Sequence, residues 1–208
     1  MAFSIEELEK LLPPELADKK KGRLRDGLHQ FSDPYKSQDK FYTDFYLPIS
    51  RSYFLQGDLL REMRFPLFNK NSGQYEKFYF DALILSNTCD IDESNKKTVS
   101  KKVVLAKLVP VDTFIESMRE LGVENAAEIL TQIKNQQCSN IIYLPTTRDK
   151  KEYLAYLDDL GIVEKEEVNV LKEDITDNRI ESLDYFGYYL FIFKLSYHLC
   201  RLPEETER

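Results

Sequence analysis

Three apolar runs mark the middle of the chain: Gly57-Asp58-Leu59-Leu60-Arg61, Phe80 to Ser86, and the valine-rich Val103 to Pro110. Asn, Asp, Ser and Gly separate them, the pattern of short strands joined by turns. Asn69 to Gly73 is turn-forming by composition, so Leu59 to Phe68 and Tyr75 to Ser86 are expected to form a hairpin. Tyr53 to Phe65 reads as a strand with Gly57 as a bend or bulge, and Phe41 to Leu47 alternates aromatic and polar residues like another strand. The polar segment Asp92 to Lys102 is expected to be a surface loop leading into a strand from Lys102 to Val109. Asn140 to Leu144 predicts a short strand closed by Pro145. Between Glu152 and Val163, Tyr153, Ala155 and Leu157 alternate as in a strand, while Leu154, Leu157 and Leu160 also suit a helix; we read a strand.

Helical spacing flanks these runs. Ser4 and Glu7 have the form of a capping box, and Ile5, Leu8, Leu11 and Leu12 keep helical periodicity until Pro13-Pro14. Glu15 to Phe31 predicts a second helix, weakened by Gly22 and Gly27 at about 1 kcal/mol each relative to Ala. Helices are expected again over Asp112 to Leu121 and Glu124 to Gln136, with Gly122 as the stop between them. Ser182 reads as the N-cap of a helix from Leu183 to about Leu202, ended by Pro203 and apolar nearly all round its middle, hence deeply packed. The expected fold class is α+β: one domain over 1–208, a small curled barrel carrying N-terminal, inserted and C-terminal helices. Its parts are N-terminal helices over 1–40, a barrel core over 41–113, a helical insertion with further strands over 114–181, and a C-terminal helix and tail over 182–208.

Composition narrows the function classes. With 208 residues, 13 Tyr and 13 Phe but no Trp, the chain has ample apolar surface for a core. A net charge of −7 opposes general nucleic-acid affinity, which needs a surplus of cations to displace counterions. The concentrated positive stretch, Lys19, Lys20, Lys21, Arg23 and Arg25, keeps RNA or DNA possible as a local contact. Acidic stretches at Glu164 to Glu167, Glu173-Asp174 and Glu204-Glu205 suit a basic protein partner or a solubilising surface. The run Tyr185 to Phe193 falls short of the roughly 20 residues a membrane-spanning helix needs. No membrane partner is expected, and the N-terminal residues lack an apolar signal core, so the expected location is the cytoplasm.

Cys89, Cys138 and Cys200 are odd in number and lack a CxxC pair, against both a disulfide framework and a zinc ribbon. No metal or other cofactor is expected. The densest polar cluster is Asn87-Thr88-Cys89-Asp90 at a strand end, just after Ser86. A nucleophilic Cys89 would need a base or a positive field, whereas Asp90 and Asp92 push its pKa up, and only His29 and His198 are available as bases. The simpler reading is a turn closed by Asn87 and Asp90, with Cys89 packed as a small apolar residue. His198 and Cys200 lie about 200° apart around a helix and do not share a ligand.

The strands Gly57-Asp58-Leu59, Asp81 to Ser86, and Leu105 to Pro110 followed by Thr113 resemble the MazF/PemK-like toxins. Their SH3-like barrel opens with a Gly-Asp strand and continues through an Arg-Pro-(apolar)-Leu-Ser strand. The resemblance covers about Tyr53 to Thr113. The flanking segments Gly22 to Arg25, Tyr42 to Tyr46, Gln56 to Leu59, Ser86 to Asp90 and Leu195 to Glu204 resemble a group of uncharacterised bacterial proteins. The second resemblance carries no established reaction; the first implies an SH3-like barrel, a possible homodimer, and a ribonuclease that uses the Arg before Pro to handle the RNA phosphate. Here those two positions hold Phe80 and Asp81, and a ring beside a carboxylate supplies no cation to a developing oxyanion. The expected function is therefore non-catalytic: a regulatory protein of a bacterial stress or defence pathway that binds a protein partner, for example a transcription factor. The alternatives are an endoribonuclease toxin, with Arg61, Arg64 or the Lys19 to Arg25 stretch replacing the absent cation, and a nucleic-acid-binding module without chemistry, with Tyr42, Phe45, Tyr46 and Tyr53 as stacking platforms beside the basic helix. No catalytic residue is assigned; the candidate binding residues are Asp58, Arg61, Arg64, Ser86, Asn87, Thr88, Cys89 and Asp90.

Overall fold

The computed structural model describes residues 45–48, 51–92, 94–95 and 101–199, together with Gly22. The expected helices over 1–40 fall outside these residues, apart from Gly22, which is helical. So do most of the expected strand Phe41 to Leu47 and the basic stretch Lys19, Lys20, Lys21, Arg23 and Arg25.

The described chain is α+β. A single sheet of six antiparallel strands has the order β4-β5-β3-β2-β1-β6. β1 (Asp58–Asn69) and β2 (Gln74–Ile84) form the expected hairpin, turning through residues 70–73, where Gly73 takes a left-handed φ of 67°. β3 (Lys102–Pro110) pairs with β2 through three residues only, then runs along β5 (Tyr153–Glu164) for its whole length. β4 (Ile141–Leu144) lies outside β5, and β6 (Arg179–Ser182) lies outside β1. The expected barrel is not closed by strand pairing: β4 and β6 are the edges, and β4, β5 and β6 all come from beyond residue 113.

The strand expected from Tyr53 begins only at Asp58, because residues 53–57 bend into it and Gly57 adopts a φ of 87°. The bulge lies further on, where the register with β2 slips between Leu60 and Met63 and Glu62 takes a φ of 49°. An extra residue there increases local twist and bends the strand. The curl brings Phe65 of β1 onto Gly161 of β5, in place of a hydrogen-bonded seam. Of the segment expected as a strand at Phe41 to Leu47, Tyr46 makes a single bridge to Leu183. Leu47 N–H donates to the Ser182 carbonyl and Asp184 N–H to the Phe45 carbonyl, so this segment extends the β6 edge.

Among the described residues six helices follow or flank the strands. α1 (Thr88–Ile91) is a single turn; α2 (Val111–Glu120) and α3 (Ala126–Lys134) are the expected inserted pair, separated at Gly122. α4 (Lys165–Val170), a 3-10 turn (Leu171–Asp174) and α5 (Ile175–Asn178) occupy a run that its charges marked only as acidic surface. α6 covers Tyr185–Leu199. Its start corrects the expected N-cap: Ser182 ends β6 and gives its hydroxyl to Asp58, and Tyr188 N–H bonds the Asp184 carbonyl.

Three apolar clusters hold these layers. One face of the sheet, with Leu59, Leu83, Ala106, Leu108, Ala155 and Ile142, packs under Phe45 and the Phe186, Leu190 and Phe191 side of α6. The concave side of the curl holds Leu60, Met63, Phe65, Ile84, Leu105 and Val163, plugged by Phe54, Ile91 and Val168. Phe114 and Ile133 of α2 and α3 close over Tyr143 and Leu154. α6 buries Phe186, Leu190, Phe191 and Lys194 along one side, and its other positions from Tyr185 to Leu195, Gly187 apart, are half-buried.

Candidate functional site

The sequence candidates divide between two places. The first is at the start of β1. Asp58 is fully buried, accepts from the Leu55 N–H at 2.9 Å and from the Ser182 hydroxyl, and lies 3.4 Å from Nη1 of the equally buried Arg179. Arg179 also donates to the Arg51 carbonyl at 2.6 Å, and its guanidinium sits over the Phe54 ring. Its Nε is buried without a hydrogen-bond partner among the described residues. Burial dominates here, raising Asp58 to a pKa of about 6 against the pull of Ser182, Leu55 and Arg179. This arrangement ties β1, β6 and residues 51–55 together.

Gln56 joins Asp58's neighbourhood to the polar cluster. Its N–H donates to Thr88 Oγ1 at 2.9 Å, its side-chain amide donates to the Leu85 carbonyl at 2.8 Å, and Tyr188 donates its hydroxyl to Gln56 Oε1 at 3.0 Å. Ser86 Oγ accepts from the Val104 N–H at 2.8 Å, in line with β3. Asn87 caps α1 by accepting from the Cys89 N–H at 2.9 Å, and Asp90 N–H bonds the Asn87 carbonyl. The expected turn is thus one helical turn. Cys89 is exposed, a correction to its expected packing, because α1 presents Ile91 to the core instead. Asn87 thus starts α1 locally, whereas Ser86 and Thr88 bind the backbone of β3 and of Gln56.

Arg61 and Arg64 lie elsewhere, beyond the start of β1. At the bulge, Arg61 Nη1 is 3.2 Å from Asp149 Oδ2 and Nε donates to the Asp177 carbonyl at 3.1 Å. Arg64 Nη2 meets Glu167 Oε1 at 2.5 Å. Asp81 accepts from the Glu62 N–H at 3.2 Å and from the Tyr153 hydroxyl at 3.0 Å. A carboxylate opposite a bulge satisfies the amide that the slipped register leaves without a strand carbonyl.

Around this point the loop 145–152 brings in groups that sequence reading missed. Arg148 donates its backbone N–H to Glu181 at 2.6 Å, and its guanidinium to the carbonyls of Thr176 and Arg179. Tyr46 donates to the Pro145 carbonyl at 2.8 Å. Burial raises Glu181, opposed by its bond from Arg148, and raises Tyr46, helped by Glu181. For Asp149 burial pushes upward, but the Thr147 hydroxyl and Arg61 together hold it low. The resulting band of Arg61, Arg148, Asp149, Tyr153, Asp81 and Glu181 spans the gap between the β4 and β6 edges. Charged residues in the short β6 and a Thr-Arg-Asp turn were the available signals, but neither reveals its partner across the sheet.

Lys107 of β3 also escaped sequence reading. Its ammonium lies 4.1 Å from the centroid of the Phe80 ring and 3.3 Å from Asp159 Oδ2. A cation therefore lies beside the Phe80 ring, and Asp159 neutralises it. Among the described residues no group of three or more His, Cys, Asp or Glu is placed to hold a metal ion. None of their helices is long and apolar enough to cross a membrane.

The sequence matches no protein-family model and no curated protein.

Proposed function

We propose that the chain is a non-catalytic, MazF-like regulatory module of a bacterial stress or defence pathway, working by binding a protein partner such as a transcription factor. The strongly curled antiparallel sheet, with Phe65 of β1 against Gly161 of β5, supports the SH3-like reading of its core. The observation that carries the absence of chemistry is the condition of its cations. Arg61 is engaged by Asp149 and the Asp177 carbonyl, Arg64 by Glu167, and Lys107 by Asp159 and the Phe80 ring. Each would have to surrender a carboxylate before it met a phosphoryl oxygen, and Asp81 beside them repels that oxygen. The acidic surface and added helices suit protein contact better than a polyanion.

Incubation of the purified full chain with a long RNA, beside a ribonuclease control, tests this reading. The RNA is expected to stay intact, and a partner recovered from native cells is expected to be a protein. Cleavage that disappears in Arg61→Gln or Lys107→Gln would overturn it.

A further inference from the structure

The β1–β2 hairpin runs beyond the sheet that supports it. β2 pairs with β3 only at Ala82, Leu83 and Ile84, and β6 reaches β1 only at Asp58 to Leu60. On its outer side the stretch Gln74 to Phe80 has no strand partner among the described residues. Such an edge presents alternate N–H and C=O groups to any extended chain that approaches. Natural edges are blunted by shortness, proline or charge, yet this one reads Gln-Tyr-Glu-Lys-Phe-Tyr-Phe and carries one lysine.

Register sorts its side chains. The pairs Phe68↔Tyr75, Pro66↔Lys77 and Arg64↔Tyr79 share one face, while Phe65↔Phe78 and Met63↔Phe80 share the face that leads into the core. On the outward face Tyr75 is 74 % exposed, Tyr79 64 % and Phe68 54 %. Lys77, also exposed, lies between the two tyrosines at two-residue spacing, and Lys70 stands in the turn. Over 65–80, Lys70 and Lys77 outnumber the single acid Glu76, which Asn69 and Ser72 bond, while Arg64 is already engaged by Glu167. The turn end of the hairpin is thus locally positive on a chain of net charge −7.

We infer that Gln74 to Phe80 is a docking edge for an acidic, extended peptide of a partner protein, which adds to the sheet as a strand beside β2. This rests on the protein-binding reading above and names the surface and the partner's chemistry. Main-chain bonds to the open edge supply the pairing. Side chains at alternate positions set the preference: an acidic residue beside Lys77 and apolar residues two positions either side, beside Tyr75 and Tyr79. A second copy of the chain fits less well, since two molecules of net charge −7 repel and a two-fold pairing centred on Lys77 opposes two lysines.

The test uses the full chain and a fluorescein-labelled peptide, DTITETITD, followed by anisotropy. Its basic counterpart KTITKTITK and the strand-breaking DTPTETPTD serve as controls. The acidic peptide is expected to bind in the micromolar range, and K70E/K77E to weaken it by about tenfold, with the near-ultraviolet circular dichroism unchanged. Hydrogen exchange is expected to slow at Gln74 to Phe80 on peptide addition. No binding, equal binding of the three peptides, or undiminished binding to K70E/K77E would overturn the inference. A dimer whose own edge protects Gln74 to Phe80 would overturn it too. A native protein partner that co-purifies equally with wild type and K70E/K77E would remove this edge while leaving the interaction reading standing; RNA cleavage would remove the latter without touching the peptide result.

Discussion

Phe65 rests against the bare backbone of Gly161: a Cβ built at that glycine would lie 2.5 Å from the ring. Contact of this kind closes the curl between β1 and β5, where no ladder of hydrogen bonds does so. Gly161→Ala is expected to destabilise the chain by about 1–3 kcal/mol, the range for overpacking a filled core. Urea denaturation with a lowered midpoint and unchanged slope would bear this out; an unaltered midpoint would show that the ring moves aside freely.

Asp58 and Arg179 make stability depend on pH. The carboxyl is raised from 3.8 to about 6 by burial, so its contribution is fully present below 3.8 and is lost as pH rises through 6. Arg179→Met removes the cation that restrains this shift and leaves Asp58 buried without it. The loss is expected to be about 3–5 kcal/mol at pH near 7.5 and smaller at pH near 5, where Asp58 takes up a proton. Thermal melts across that range measure the difference, and a loss independent of pH would refute the assignment.

Lys194 of α6 lies buried with its ammonium donating to the carbonyls of Gln136, Cys138 and Ile141. Burial lowers its pKa from 10.5 to about 7. Between those values the unfolded chain binds more protons than the folded one, so stability from this group rises with pH and is lost as pH falls through 7. Lys194→Met is expected to abolish that rise and to lower stability outright, because the buried Ile141 carbonyl and the part-buried carbonyls of Gln136 and Cys138 lose their donor. Denaturant titrations between pH 7 and 10 compare the slopes.

The Arg61–Asp149 pair is partly open to solvent, with about a third of the arginine side chain accessible. Its coupling in a double-mutant cycle with Arg61→Gln and Asp149→Asn is expected to be below about 1 kcal/mol. A much larger value would mean that the band across the sheet edges is a rigid, preorganised centre.

Much of the local architecture was legible. The Asn69 to Gly73 turn, the stop at Gly122 and the alternation of Tyr153, Ala155 and Leu157 each act over a few residues, and the corresponding elements form. Residues 165–182 were not, because their short helices and the strand Arg-Ile-Glu-Ser owe their order to Val168 in the core and to partners on β1. Ser182 shows the difference well: its sequence context suits a helix cap, yet a buried Asp58 claims the hydroxyl.

The candidate site was legible only as separate polar residues. Spacing along the chain singled out Asp58 and Ser86 to Asp90 but gave no means of knowing that Gln56 would join them or that Arg61 would face Asp149, 88 positions away.

Hydrophobic period and turn chemistry, acting between near neighbours, decided by themselves that this chain makes an antiparallel hairpin, an inserted helical pair and an apolar final helix. Which charges cancel, which edge stays open and how far the sheet curls were decided by the tertiary structure alone. Those outcomes depend on distances between residues remote in sequence, set by a bulge at Glu62 and by the absence of a side chain at Gly161.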